Sequence, residues 1–149
     1  MDPLNNVNID ILTEQRAAGR KLFKIYQQTE GSLMIRDGSW LLTYTEPTDS
    51  RAVPTSARLT VDKDRKVSLE RVGSDSISLL FEEGKQHISR LDLPGGSMNV
   101  GFFTNMLKMD IGQDGGTIKL KYTVTAQDMN PVNTSMNFTV SPKKPIVDI

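Results

Sequence analysis

Short stretches in which apolar and polar residues alternate run through almost the whole chain, each ended by a turn signal such as Asp37-Gly38, Gly95-Gly96 or Asp114-Gly115-Gly116. Alternation with period two places every second side chain on one face of an extended strand, so the pattern predicts an all-β, antiparallel protein. Val7-Asn8-Ile9-Asp10-Ile11 is the opening strand. Ser32 to Arg36 and Ser39 to Thr45 flank Asp37-Gly38, a pair suited to the positive φ angles of a type I′ hairpin turn. Trp40, Leu42 and Tyr44 then share one face. Leu59/Val61, Val67/Leu69 and Ile77/Leu79/Phe81 mark three more strands, divided by Asp62-Lys63-Asp64-Arg65 and Gly73-Ser74-Asp75. Glu46 to Pro54, with two prolines and Thr48, Asp49 and Ser50, reads as a loop because proline cannot donate to a ladder.

Two segments stay open on pattern alone. From Arg20 to Glu30, Ala18, Leu22, Ile25 and Tyr26 fall along a helical stripe, yet Phe23 and Ile25 suit a strand equally. From Lys85 to Leu93, either Ile88 and Arg90 or Ser89 and Leu91 face the core. Between Gly96 and Gly112 the inward parity passes from Met98, Val100 and Phe102 to Leu107, Met109 and Ile111, which requires a β-bulge or bend. Ile118, Leu120, Tyr122, Val124 and Ala126 form the clearest amphipathic strand, and Met136, Phe138 and Val140 the last. A short tail, 141–149, follows a core of about 7–140. Roughly eight to ten strands with short connections predict an up-and-down order closed into a single barrel, since closure pairs the backbone groups that two open edges would expose.

Composition narrows the chemistry. The 149 residues suffice for one domain, and eighteen basic against eighteen acidic residues leave no net charge. The neutral total argues against nucleic acid and anionic membrane as partners. There is no cysteine, and His87 is the single histidine, which excludes disulfides, thiol chemistry and histidine-rich metal sites. No cofactor is expected. The N-terminus lacks a signal-like apolar run and no stretch reaches a membrane-spanning length, so the expected setting is cytoplasmic.

The stretch from Gly31 through Trp40-Leu41-Leu42-Thr43-Tyr44, then Val67-Ser68-Leu69-Glu70-Arg71-Val72-Gly73, Phe81-Glu82-Glu83-Gly84 and Met98 to Thr104 follow one another in an order that resembles the YwiB-like family of bacterial proteins. That family is a domain of unknown function with a calycin-like, that is lipocalin-like, β-barrel. The resemblance implies such a barrel and a strand from Arg20 to Glu30. It carries no active site across. Gly95-Gly96-Ser97 departs from the family pattern, where an aromatic-rich approach to the long strand is commoner.

The candidate site is an interior one. Arg71 shares parity with Val67 and Leu69 and would anchor a carboxylate or phosphate, its plainer alternative being a strand-end arginine that reaches solvent or pairs with Glu82 or Glu83. Trp40, Tyr44, Phe102 and Tyr122 would line a cavity, the two phenols orienting a ligand; otherwise they fill the core. His87, with Ser89 on its strand face, lacks an acid positioned by spacing and reads as a surface histidine. Asp62/Asp64 and Glu82/Glu83 read as solvated turns. Arg16, Arg20, Lys21 and Lys24, with Phe23 and Tyr26 among them, raise an RNA-binding reading, since basic grooves with stacking aromatics suit nucleic acid, but with a neutral total and no RNP-type motif they read as the charged outer face of a half-buried strand. The expected partner is a small apolar or amphipathic molecule bound without chemistry, and the alternative is a filled barrel that contacts a protein or a second copy.

Overall fold

In the computed structural model, residues 6–46, 55–72, 77–93, 95–127 and 129–143 are described, the side chains of 91–93 excepted. The Gly73-Ser74-Asp75 turn, the loop after Glu46, the side chain of Leu91 and most of the tail lie outside the described residues. Ten strands form one antiparallel sheet: β1 (Val7–Ala17), β2 (Arg20–Arg36), β3 (Ser39–Glu46), β4 (Thr55–Val61), β5 (Val67–Val72), β6 (Ile77–Phe81), β7 (Gln86–Leu93), β8 (Gly96–Ile111), β9 (Gly116–Thr125) and β10 (Val132–Pro142). Strands adjacent in sequence pair from β1 to β6 and from β7 to β10, and β1 pairs with β10, so the sheet order is up-and-down. Among the described residues no helix is long and apolar enough to cross a membrane.

The cylinder is almost sealed. β6 and β7 meet at the seam without a ladder, where Ser89 Oγ donates to the Ser78 carbonyl at 2.8 Å. The turn between them is tied to β8 by Gly84 N–H donating to Thr104 O and Thr104 N–H donating to Lys85 O.

Inward residues alternate as the hydrophobic pattern requires. Ile9, Leu42, Leu59, Val67, Phe81 and Phe138 are among the most deeply buried side chains and belong to one continuous core. β7 turns His87 and Ser89 toward the face of Phe102 and Val100, which leaves Ile88 72% exposed and settles the open register. The change of parity in β8 occurs at Asn105, where the pairing with β9 slips between Thr104 and Met106. Asp37 and Gly38 have φ of 53° and 82°, as a type I′ turn demands.

Gly31 departs from the expected boundary. It lies inside one 17-residue strand, not between two. Residues on its N-terminal side pair with β1 and those on its C-terminal side with β3, so Gly31 is where β2 changes partners. A Cβ there would meet Thr43 O at 2.5 Å and Ile9 Cδ1 at 2.7 Å. Only glycine allows this approach.

Strand length makes the wall uneven. β5 and β6 have 6 and 5 residues, whereas β1, β2, β8, β9 and β10 have 10 or more. We call upper the end at which β1, β3, β5, β7 and β9 finish. There the β1–β2 hairpin rises as an arm, turning at Ala18 and Gly19 with φ of 53° and 76°.

Candidate ligand site at the upper end of the barrel

Strand parity directs Tyr44 and Glu46 of β3, Ala57 of β4 and Arg71 of β5 inward near the upper rim, with Tyr44, Ala57, Arg71 and Ile77 in one cross-strand row. Arg71 grips Glu46 with two parallel bonds: Nε donates to Oε1 at 2.8 Å and Nη2 to Oε2 at 2.7 Å. This fork geometry is the strong form of a charge-assisted pair. The Arg71 side chain is 41% exposed against 18% for Glu46, so the pair sits at the solvent boundary. Burial works to lower the Arg71 pKa, but the Glu46 bond and charge outweigh it and the guanidinium is held more firmly protonated. The expected alternative partners, Glu82 and Glu83, sit at the opposite end; Glu46 replaces them because β3 continues through the position that the proline-rich loop was expected to begin.

Two phenols accompany the pair. Burial pushes the Tyr44 hydroxyl well above its ordinary range, with the Glu46 charge adding to the rise and Arg71 opposing it. Tyr122 is also raised by burial, against lowering contributions from Thr134 and Arg71. Its ring lies 4.9 Å from Phe81 and 5.9 Å from Phe102, and its hydroxyl is 3.9 Å from Met136 Sδ. Around it the hydroxyls of Thr104 and Thr134 are buried without a well-formed hydrogen bond. Buried polar atoms of this kind are uncommon, because each gives up its water.

Four of the five candidate residues therefore gather: Arg71 acts electrostatically on both tyrosines, and Phe102 packs beside Tyr122. Trp40 does not join them. It is buried at the lower end, where Nε1 donates to the Gly112 carbonyl at 3.0 Å and closes the barrel floor. In the cross-strand row of Tyr122, through Thr134 and Gln15, the inward face of the arm presents Phe23, and Ile25, 46% exposed, is the next inward residue of β2. Glu46 and Thr104 were missed as site residues, although both continue the inward parity of their strands.

The remaining candidates have plainer roles, though not all the expected ones. His87 is half-buried, with Nε2 at 3.0 Å from Glu82 Oε1, and is not a surface residue. Glu82 was expected in a solvated turn, but it also faces Lys85 and Lys66. Desolvation tends to raise its pKa, yet the Lys85 bond and these cations lower it overall. Glu83 accepts from Leu107 N–H at 3.0 Å just beyond the β8 bulge. Ser89 spends its hydroxyl on the seam and is not aimed at His87. Asp62 Oδ1 accepts from the backbone of Asp64 and Lys66, which shapes its turn. Among the described residues no three metal-ligating side chains converge.

Comparison with known proteins agrees with this architecture. No curated protein matches the chain in sequence. The crystal structure of the ywiB protein from Bacillus subtilis superposes with a TM-score of 0.81 over 94% of this chain and 93% of that one, at 16% identity, a likeness of fold. The model of a domain of unknown function (DUF1934) matches residues 9–138, most of the barrel, and the chain belongs to that family.

Proposed function

We propose that this domain is a calycin-like binding module that takes a small, partly apolar molecule with an anionic or polar end at its upper mouth, without performing chemistry on it. The observation that carries the reading is the Arg71–Glu46 pair, inward-facing but partly exposed and flanked by two buried phenols. An incoming carboxylate or sulfonate takes the place of Glu46 on the guanidinium, while the apolar part rests against Phe23 and Ile25 of the arm. A cluster of buried hydrophobic side chains lies beneath the pair, and the reading therefore places the ligand at the rim.

Anilinonaphthalene sulfonate, an apolar fluorophore with one anionic group, is a direct probe. Arg71→Met is expected to weaken its binding by about tenfold or more, because a charge-assisted contact contributes roughly 1.5–3 kcal/mol. Glu46→Gln is expected to strengthen it by freeing the guanidinium. Equal affinity in wild type and both variants removes the mouth as the site. A second reading, a filled barrel that docks a protein, draws on the exposed Leu22, Ile25 and Tyr26 of the arm.

A further inference from the structure

Cross-strand register assembles a basic face that no single strand reveals. On the outer side of the wall β2–β1–β10–β9–β8, one row reads Lys21, Arg16, Asn133, Thr123, Phe103; the next reads Lys24, Glu14, Ser135, Lys121, Met106; the third reads Tyr26, Leu12, Asn137, Lys119, Lys108. Six cations share these rows with one acid. Glu14 is held by Arg16 at 3.1 Å and Lys21 at 3.8 Å, which lower its pKa together with Lys24 while burial opposes them; the Arg16 bond is the largest influence. Lys108, Lys119 and Lys121 have no ion pair among the described residues. Lys108 stands directly opposite Lys119, an arrangement that destabilises a sheet. Asp10 and Asp110 bound the patch one row below.

The face is also grooved and furnished for more than charge. A groove of about 510 Å³ opens on it, lined by Arg16, Lys121, Asn105, Thr123, Asn133 and Ser135 together with the paired Glu14, and Tyr122 and Thr134 also border it. Asn105, turned outward by the bulge, donates to Thr123 Oγ1 at 2.9 Å, and Thr123 donates to Asn133 Oδ1 at 2.8 Å. Phe103 and Tyr26, 39% and 59% exposed, stand on opposite sides of the face. Cations that follow a backbone, amides within the groove and aromatic rings at its margins are what a single strand of nucleic acid requires. The neutral total, which argues against nucleic acid for the molecule taken as a whole, does not describe this face, because the Debye length at physiological salt is about 8 Å and distant acids are screened from the patch.

We infer that this outer face binds single-stranded RNA through its phosphates, with Phe103 stacking on a base. Its cations lie on the outer face, whereas Arg71 and Glu46 of the mouth face inward on β5 and β3. Anisotropy of a labelled oligouridylate of about 12 nucleotides, measured between roughly 50 and 200 mM salt, tests it. Four or five phosphate contacts give a slope of log K against log salt of about −3, at some 0.7 per contact. Lys119→Gln with Lys121→Gln is expected to flatten that slope by about 1 to 1.5 and to weaken low-salt binding at least about tenfold. Because it relieves like-charge crowding on an exposed surface, this variant keeps or raises the melting temperature, so lost binding is not lost folding. Phe103→Ala is expected to reduce RNA affinity about fivefold or more while leaving heparin binding unchanged, and Lys63→Gln in the β4–β5 turn to change neither. The inference is overturned by absence of binding at low salt, by a double-lysine variant that binds like wild type, or by phosphatidylserine vesicles binding where RNA does not.

Discussion

Replacing Gly31 by alanine tests the packing on which the barrel depends. The added methyl would lie 2.5 Å from Thr43 O, 2.7 Å from Ile9 Cδ1 and 3.0 Å from Tyr44 Cβ. Ile9 is able to shift its terminal methyl, but the Thr43 carbonyl belongs to the β2–β3 hairpin and cannot withdraw without parting the strands. Overpacking of a tight site costs about 1–3 kcal/mol, and a clash with backbone belongs at the upper end. Alanine also restricts the unfolded chain, which returns about 0.4–1 kcal/mol. The net expectation is a loss of roughly 2–3 kcal/mol, or a fall in melting temperature of about 4–10 °C for a domain of this size. Urea unfolding followed by the fluorescence of Trp40, the single tryptophan and a buried one, measures this directly. Gly95→Ala is the internal control, since a Cβ there meets nothing within 4 Å. It should match wild type or exceed it by up to about 1 kcal/mol. A Gly31→Ala protein within about 0.5 kcal/mol of wild type would refute the steric argument.

Two further outcomes follow from the buried polar layer. Thr104→Val removes a hydroxyl that has no partner and keeps the side-chain shape, so it is expected to stabilise the barrel by about 1 kcal/mol in the same urea assay, whereas a loss above about 1 kcal/mol would mean that the hydroxyl is satisfied. Tyr44 and Tyr122 have folded pKa values raised above the unfolded tyrosine value of about 10, so the folded state holds their protons longer. Their contribution is complete below that pH and is lost as pH rises beyond it. The unfolding free energy should therefore decline above about pH 10, and Tyr44→Phe with Tyr122→Phe should flatten the decline; an unchanged slope would count against burial as the cause.

Much of this molecule was legible because a strand encodes its two faces locally. The alternation at Trp40, Leu42 and Tyr44, the Asp37-Gly38 turn and the parity change within β8 each depend on neighbours a few residues apart, and each appears where the pattern placed it. The 20–30 segment is the instructive exception. Both of its faces are largely exposed because it stands in an arm above the barrel, so no buried stripe distinguished strand from helix, and only the resemblance to a family did so.

By itself, the amino-acid sequence determined the fold class, the chain of antiparallel neighbours and which side chains share a face, since these follow from backbone geometry and period-two burial. Tertiary structure alone decided which residues from distant strands meet: Glu46 with Arg71, Glu82 with His87, Trp40 with Gly112, and Lys108 with Lys119. Those meetings depend on register and on the shear with which the sheet closes. Both are set by the summed fit of the whole core, which no local stretch of residues contains.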